Sequence, residues 1–146
     1  MMIKHTASVT FHFAEQTSLT NRTALKSFII DLFKKEKKKA GELSFVFCSD
    51  AYLLEINKQY LKHNYYTDII TFDLSQTPGV ISGELYISVD RVKDNAQNFN
   101  VSFKEELHRV IFHGALHLCG YKDKTEKEEA LMRKMEDKYL RLYFAK

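Results

Sequence analysis

Hydrophobic positions along the chain fall into two periods, and their order predicts an α+β fold. Residues 4–13 alternate loosely, with Val9, Phe11 and Phe13 on one parity, as in a half-buried strand. Thr20 or Asn21 can cap a helix whose apolar face is Ala24, Leu25, Phe28, Ile29 and Leu32. That helix runs out in Lys34, Lys35, Lys37, Lys38 and Lys39, with Gly41 as its expected stop. Leu43 to Cys48 reads as a buried strand, followed by Ser49 or Asp50 as the cap of a helix through Leu53, Ile56, Tyr60 and Leu61. Two further strands, Ile69–Leu74 and Glu84–Val89, flank a turn that holds the only proline, Pro78. Asp90 is placed to cap a helix across Ala96 and Phe99, and longer helices are predicted from about Phe103 to Cys119 and from about Thr125 to Tyr143. No internal repeat or linker interrupts the pattern. The expectation is one domain over residues 1–146, built as a mixed sheet of about four strands with helices packed on it.

Composition narrows the class. The chain is 45% hydrophobic with five glycines and one proline, which excludes collagen-like and linker-rich architectures. Its formal charge is only +3, so the field of the whole molecule argues weakly for a nucleic-acid partner. The lysine run has a structural explanation: cations at a helix C-terminus gain about 0.3–1 kcal/mol each from the macrodipole. Apolar runs fall short of the roughly 18 residues of a membrane span. The early residues, broken by His12 and Glu15, lack the apolar core of a secretory signal. Cys48 and Cys119 each lie in an apolar stretch and read as buried free thiols, which fits a reducing cytoplasm.

The chemistry concentrates in the helix beginning near Phe103. From Val110 through Tyr121 it carries no formal charge, so it should be buried, yet it holds His113 and His117 at i and i+4. Positions four apart lie about 40° from each other around a helix, so both rings share one face. Buried imidazoles need partners. Gly120 can end the helix in a left-handed turn, and Asp123 follows it closely enough to swing a carboxylate over that face. Two imidazoles, one carboxylate and an open fourth position are the ligand set of a catalytic zinc site. The other reading leaves the histidines paired with nearby carboxylates or carbonyls. Gly114 stands where an H-E-x-x-H protease carries its glutamate, so a protease of that kind would lack its proton acceptor, which argues against it.

The segment His113-Gly114-Ala115-Leu116-His117-Leu118-Cys119-Gly120-Tyr121 resembles the H-G-x-L-H-L-x-G-Y-D-H signature of the YbeY family of bacterial metal-dependent endoribonucleases. Asn57-Lys58-Gln59-Tyr60, Thr67-Asp68-Ile69-Ile70-Thr71-Phe72 and Gly83-Glu84-Leu85-Tyr86-Ile87-Ser88 are similar to its N-x-x-Y, T-D-V-L-S-F and G-D-I-x-I-S segments, and Glu129, Met132 and Glu136 echo its last helix. The resemblance implies a zincin-like, central buried metal-binding helix with one Zn²⁺ per chain, or another divalent ion. It implies cleavage of single-stranded RNA, with ribosomal RNA and the ribosomal subunit as partners, in small-subunit 3′ maturation and ribosome quality control. It also exposes two departures. Asp123 stands in place of the family's third histidine, which should weaken the ion as a Lewis acid and favour harder ions such as Mn²⁺. Leu61 stands in place of an arginine, with Lys62 beside it as a point donor lacking the arginine fork. Lys62, Lys122 and Lys124 are the candidate RNA contacts, although Lys122 and Lys124 also read as a solvated pair in a turn. Tyr65 and Tyr66 are either stacking platforms or loop residues packed on the core. Two rival readings remain: a non-catalytic ribosome-assembly factor with a structural metal, and a hydrolase of a small ester.

Overall fold

A computed structural model describes residues 6–145. Its elements are β1 (Ser8–Phe13), α1 (Arg22–Lys35), β2 (Lys39–Cys48), α2 (Asp50–Leu61), β3 (Ile69–Asp73), β4 (Val80–Ser88), α3 (Val89–Asn98), α4 (Phe103–Leu118) and α5 (Glu126–Phe144). The strands form one sheet in the order β1-β2-β4-β3, with β1, β2 and β4 parallel and β3 antiparallel to β4. This is the mixed four-stranded α+β arrangement that the hydrophobic pattern predicts.

Strand parity divides the molecule into two unequal cores. On one face, Val9, Phe45, Phe47, Leu85 and Ile87 join the main core, with Phe11, Phe13 and Ile69 packed against it. On the other face, Ile70, Phe72, Tyr86 and Cys48 meet Leu53 and Ile56 of α2. Alternation along a pleated strand accounts for this split. The main face is covered chiefly by α4, which packs against α1, α3 and α5 as well as β3 and β4. Its Leu107, Ile111, Phe112, Ala115 and Leu116 are fully buried. Each large apolar side chain buried this way contributes roughly 1.5–3 kcal/mol.

Gly114 allows α4 to approach the sheet. A Cβ there would lie 2.5 Å from Leu85 Cδ2 and 2.7 Å from Ile69 Cδ1. Position 114 therefore faces the strands and not the cleft beside His113. A glutamate at that position would drive a charge into the main core, which gives the argument against an H-E-x-x-H site a structural cause.

Several boundaries differ from the expectation. Helix α1 does not stop at Gly41. It ends where Lys37 adopts φ 60°, with the Lys38 N–H donating to the Phe33 carbonyl at 2.8 Å. A solvated left-handed lysine performs the stop, and the chain re-enters the sheet at once. Gly41 falls at an irregularity in β2, between Ala40 and Leu43, where a Cβ would meet Ser82 Oγ at 2.5 Å. Strand β4 starts at Val80, ahead of Glu84, because Val80 and Ile81 pair with Lys39 and Ala40. Ser88 caps α3 by accepting the Arg91 N–H at 3.1 Å; Asp90 sits in the first turn and accepts the Asp50 N–H. The strand expected from Lys4 is described only from Ser8, and Lys4 and His5 lie outside the described residues. Among the described residues, no helix is long and apolar enough to cross a membrane.

Filling the contact at Gly114 tests this packing. Gly114→Val should lower the unfolding free energy by about 1–3 kcal/mol through overpacking, read as a lower urea midpoint at unchanged slope. An unaltered midpoint would show that α4 does not rest on Leu85 and Ile69 in this way.

Candidate functional site

His113 leaves the buried body of α4 toward a cleft of about 380 Å³ whose walls include Asp68, Asn95, Glu106, Asp123 and Glu136. Its side chain is 24% exposed, and each ring nitrogen faces a carboxylate. Nδ1 lies 2.7 Å from Glu136 Oε2, and Nε2 lies 3.2 Å from Asp123 Oδ2. A carboxylate accepts and does not donate, so Nδ1 carries the hydrogen in this pair. Burial works against charge on the ring. The bond to Glu136 and its charge, with Asp68 and Asp123, nonetheless hold the His113 pKa above its ordinary value. Carboxylates at both nitrogens suit a cation at Nε2, either a proton or a metal ion on the free lone pair.

Local structure explains how Asp123 arrives there. Gly120, at φ 110°, turns the chain out of α4, while the Gly120 and Tyr121 N–H groups donate back to His117 and Leu116. The Tyr121 hydroxyl donates to Glu36 Oε1 at 2.6 Å, and the Tyr139 hydroxyl of α5 donates to the other oxygen of the same carboxylate. Downstream, Thr125 and Glu128 form a capping box that starts α5. The short segment carrying Asp123 is thus pinned at both ends, with Lys122 and Lys124 exposed on either side of it.

His117 departs from the expectation that both rings are buried and meet at one point. It is exposed, its ring nearly parallel to that of His113 at 6°, with centroids 6.3 Å apart. Among the described residues, no three His, Cys, Asp or Glu side chains come together closely enough to hold an ion. The structure brings His113 and Asp123 together and leaves His117 beside them. An imidazole nitrogen and a carboxylate oxygen are donor types that a divalent ion accepts. Lys62 is exposed in a left-handed conformation at the end of α2.

Five further side chains shape the cleft. Glu136 is 5% exposed and also accepts from Arg109 at 3.1 Å, while Arg109 reaches Asp137 at 2.8 Å. Glu106 is 3% exposed; burial pushes its carboxyl up to about 7, with Arg109 opposing and Asp68 reinforcing the shift. Burial also raises Asp68, against the opposing charge of His113, and Asn95 donates to its Oδ2 at 3.3 Å. Their signal was present in the sequence: Glu136 stands in the apolar stripe Met132, Glu136, Tyr139, Leu140, and Glu106 in the stripe that includes Leu107 and Val110. An acid at an apolar position marks a buried charge that needs a partner. A larger hollow of about 620 Å³, between the starts of β2 and β4, is lined by Glu42, Ser82 and Glu84 and holds no imidazole. The chemistry belongs to the smaller cleft.

The model of the family described as endoribonuclease YbeY matches residues 10–143. A Cytophaga hutchinsonii protein named endoribonuclease YbeY is 52% identical over 134 residues, covering 90% of this chain and 94% of that one. A Flavobacterium psychrophilum protein of the same name is 46% identical over 145 residues, 99% of both chains. The solution structure of a Thermotoga maritima protein aligns with a TM-score of 0.55 at 26% identity, over 94% of this chain and 89% of that one.

Glu106 provides a pH test of the cleft. A carboxyl raised from 4.5 to about 7 by folding stabilises the protein below its unfolded value and loses that contribution as pH rises through 7. Glu106→Gln should therefore be more stable than the parent at pH 8, by up to about 3 kcal/mol, with the gap closing toward pH 4.5. Urea unfolding at both pH values checks this. A difference independent of pH would contradict the assignment.

Proposed function

The chain belongs to the endoribonuclease YbeY family, and we propose that it cleaves single-stranded RNA with one divalent ion, Zn²⁺ or Mn²⁺, held by His113, His117 and Asp123. The observation that carries this reading is His113, tied through Nδ1 to buried Glu136 while Nε2 is presented to Asp123. Histidines that ligate metals commonly donate their second N–H to a carboxylate in this way. When bound, such an ion supplies Lewis acidity toward a phosphate oxygen and toward the attacking water.

The protein's own groups do the positioning. Glu136 selects the tautomer that leaves Nε2 able to donate its lone pair, and Arg109 holds Glu136 in place. Asp123 adds a negative charge where the family signature carries a neutral imidazole. It should weaken the ion as a Lewis acid and suit harder cations. Closing His117 onto the pair is part of the proposal. Lys62, Lys122 and Lys124 are exposed and available to phosphates. We place the substrate in ribosomal RNA, in small-subunit 3′ maturation and ribosome quality control, on the strength of the family resemblance. We place the protein in the cytoplasm, which the two free, buried cysteines support.

Chelator should abolish cleavage of single-stranded RNA by the purified protein, and added Zn²⁺ or Mn²⁺ should restore it; His117→Ala should stay inactive after metal is returned. Cleavage that survives both chelation and His117→Ala would contradict the proposal. Binding of RNA without cleavage under every condition would support an assembly role instead. Glu136→Gln should weaken metal binding by about 10–100-fold while the fold is kept, measured by calorimetric titration. Unchanged affinity would remove Glu136 from the site.

A further inference from the structure

Tyr65 and Tyr66 lie on the connection between α2 and β3, and the structure turns both outward, 56% and 54% exposed. They are not loose. Asn57, buried to 1%, donates from its side chain to the Tyr65 carbonyl at 2.8 Å. The Tyr65 ring stacks on His63 at 5.1 Å and 21°, and their polar atoms meet at 2.9 Å. The Arg91 guanidinium sits over the Tyr66 ring at 5.2 Å and is itself held by Asp50 at 2.7 Å. Two large aromatic rings are thus presented to solvent in fixed orientations, which reduces the ordering cost of binding.

Their position ties them to the cleft. Asp68, two residues beyond Tyr66, is part of the cleft wall. Arg91 and Asn95 are one turn apart on α3: the first covers Tyr66, and the second lines the cleft and bonds Asp68. Tyr66 is thus linked to the cleft wall twice, along the chain to Asp68 and across Arg91 to the helix that carries Asn95. We propose that Tyr65 and Tyr66 form a base-stacking platform that receives single-stranded RNA at the mouth of this cleft. The proposal rests on RNA being the substrate, as read above. It does not require the ion.

The chemistry of the occupant follows from what the surface offers. A net charge of +3 supplies little general attraction for phosphates, and Arg91 is already paired with Asp50 and near Asp94. Stacking must then carry a larger share of binding, with Lys62 as the adjacent exposed cation. Unpaired bases have free π-faces; bases inside a duplex do not. The platform accordingly selects single strands and tolerates any base sequence.

The test compares a short single-stranded oligoribonucleotide of about ten nucleotides with an abasic strand of equal length, by fluorescence anisotropy in chelator. Chelation removes cleavage from the measurement, so failure of the metal reading leaves this result interpretable. The parent protein should bind the base-bearing strand about tenfold or more tighter than the abasic one. The double variant Tyr65→Ala, Tyr66→Ala should lose most of that preference, with abasic binding changed by less than about twofold. The double variant Tyr65→Phe, Tyr66→Phe keeps the ring faces and should keep the preference. The proposal is overturned if the parent shows no preference, as expected of a surface that docks a protein. It is also overturned if the alanine variant keeps the preference, or if the phenylalanine variant loses it.

Discussion

The hydrogen bond between His113 Nδ1 and the Glu136 carboxylate joins α4 to α5 across the interior and organises the rest of the site. It consumes the buried charge of Glu136, which Arg109 also satisfies, and it settles which ring nitrogen faces the cleft. Without that bond Glu136 would keep Arg109 as its partner but leave Oε2 without its imidazole donor, and His113 would lose the contact that fixes its ring. With it, Nε2 has one direction and one neighbour, Asp123. A structural need, satisfying a buried acid, and a chemical one, presenting a lone pair, are met by the same contact.

The fold supplies that contact through two constraints distant in sequence. Gly114 lets α4 settle on Leu85 and Ile69, so the neighbouring His113 emerges at a set depth. Glu36, at the end of α1, accepts from Tyr121 and Tyr139 and so holds the Asp123 segment and α5 relative to α4. Burial raises the Tyr121 hydroxyl pKa to about 12, with Glu36 reinforcing the shift, so it remains a donor throughout the physiological range. His117, one turn beyond His113, stands exposed with its ring nearly parallel to that of His113.

The sheet, the helices and the approach of Asp123 to His113 were legible because each rests on local pattern: parity in Val9, Phe11 and Phe13, the placement of His113 on a helix, and a glycine turn. What escaped reading depends on contacts far apart in the chain. Glu136, Glu106 and Asp68 acquire roles only when α4, α5 and the start of β3 come together. Their one local mark, an acid in an apolar stripe or beside a strand, says that a partner exists without saying which. The expected burial of His117 failed because charge-free sequence around a ring does not specify whether a tertiary neighbour covers it. The stop assigned to Gly41 failed similarly: a lysine in the left-handed region did the work, while the glycine served close strand packing.

Anomalous diffraction from crystals grown with Zn²⁺ or Mn²⁺ addresses the central claim most directly. The account predicts one peak per chain within bonding distance of His113 Nε2, the His117 ring and Asp123, with Glu136 still on His113 Nδ1. A peak bound elsewhere, or no peak with Nε2 still bridging to Asp123, would contradict it.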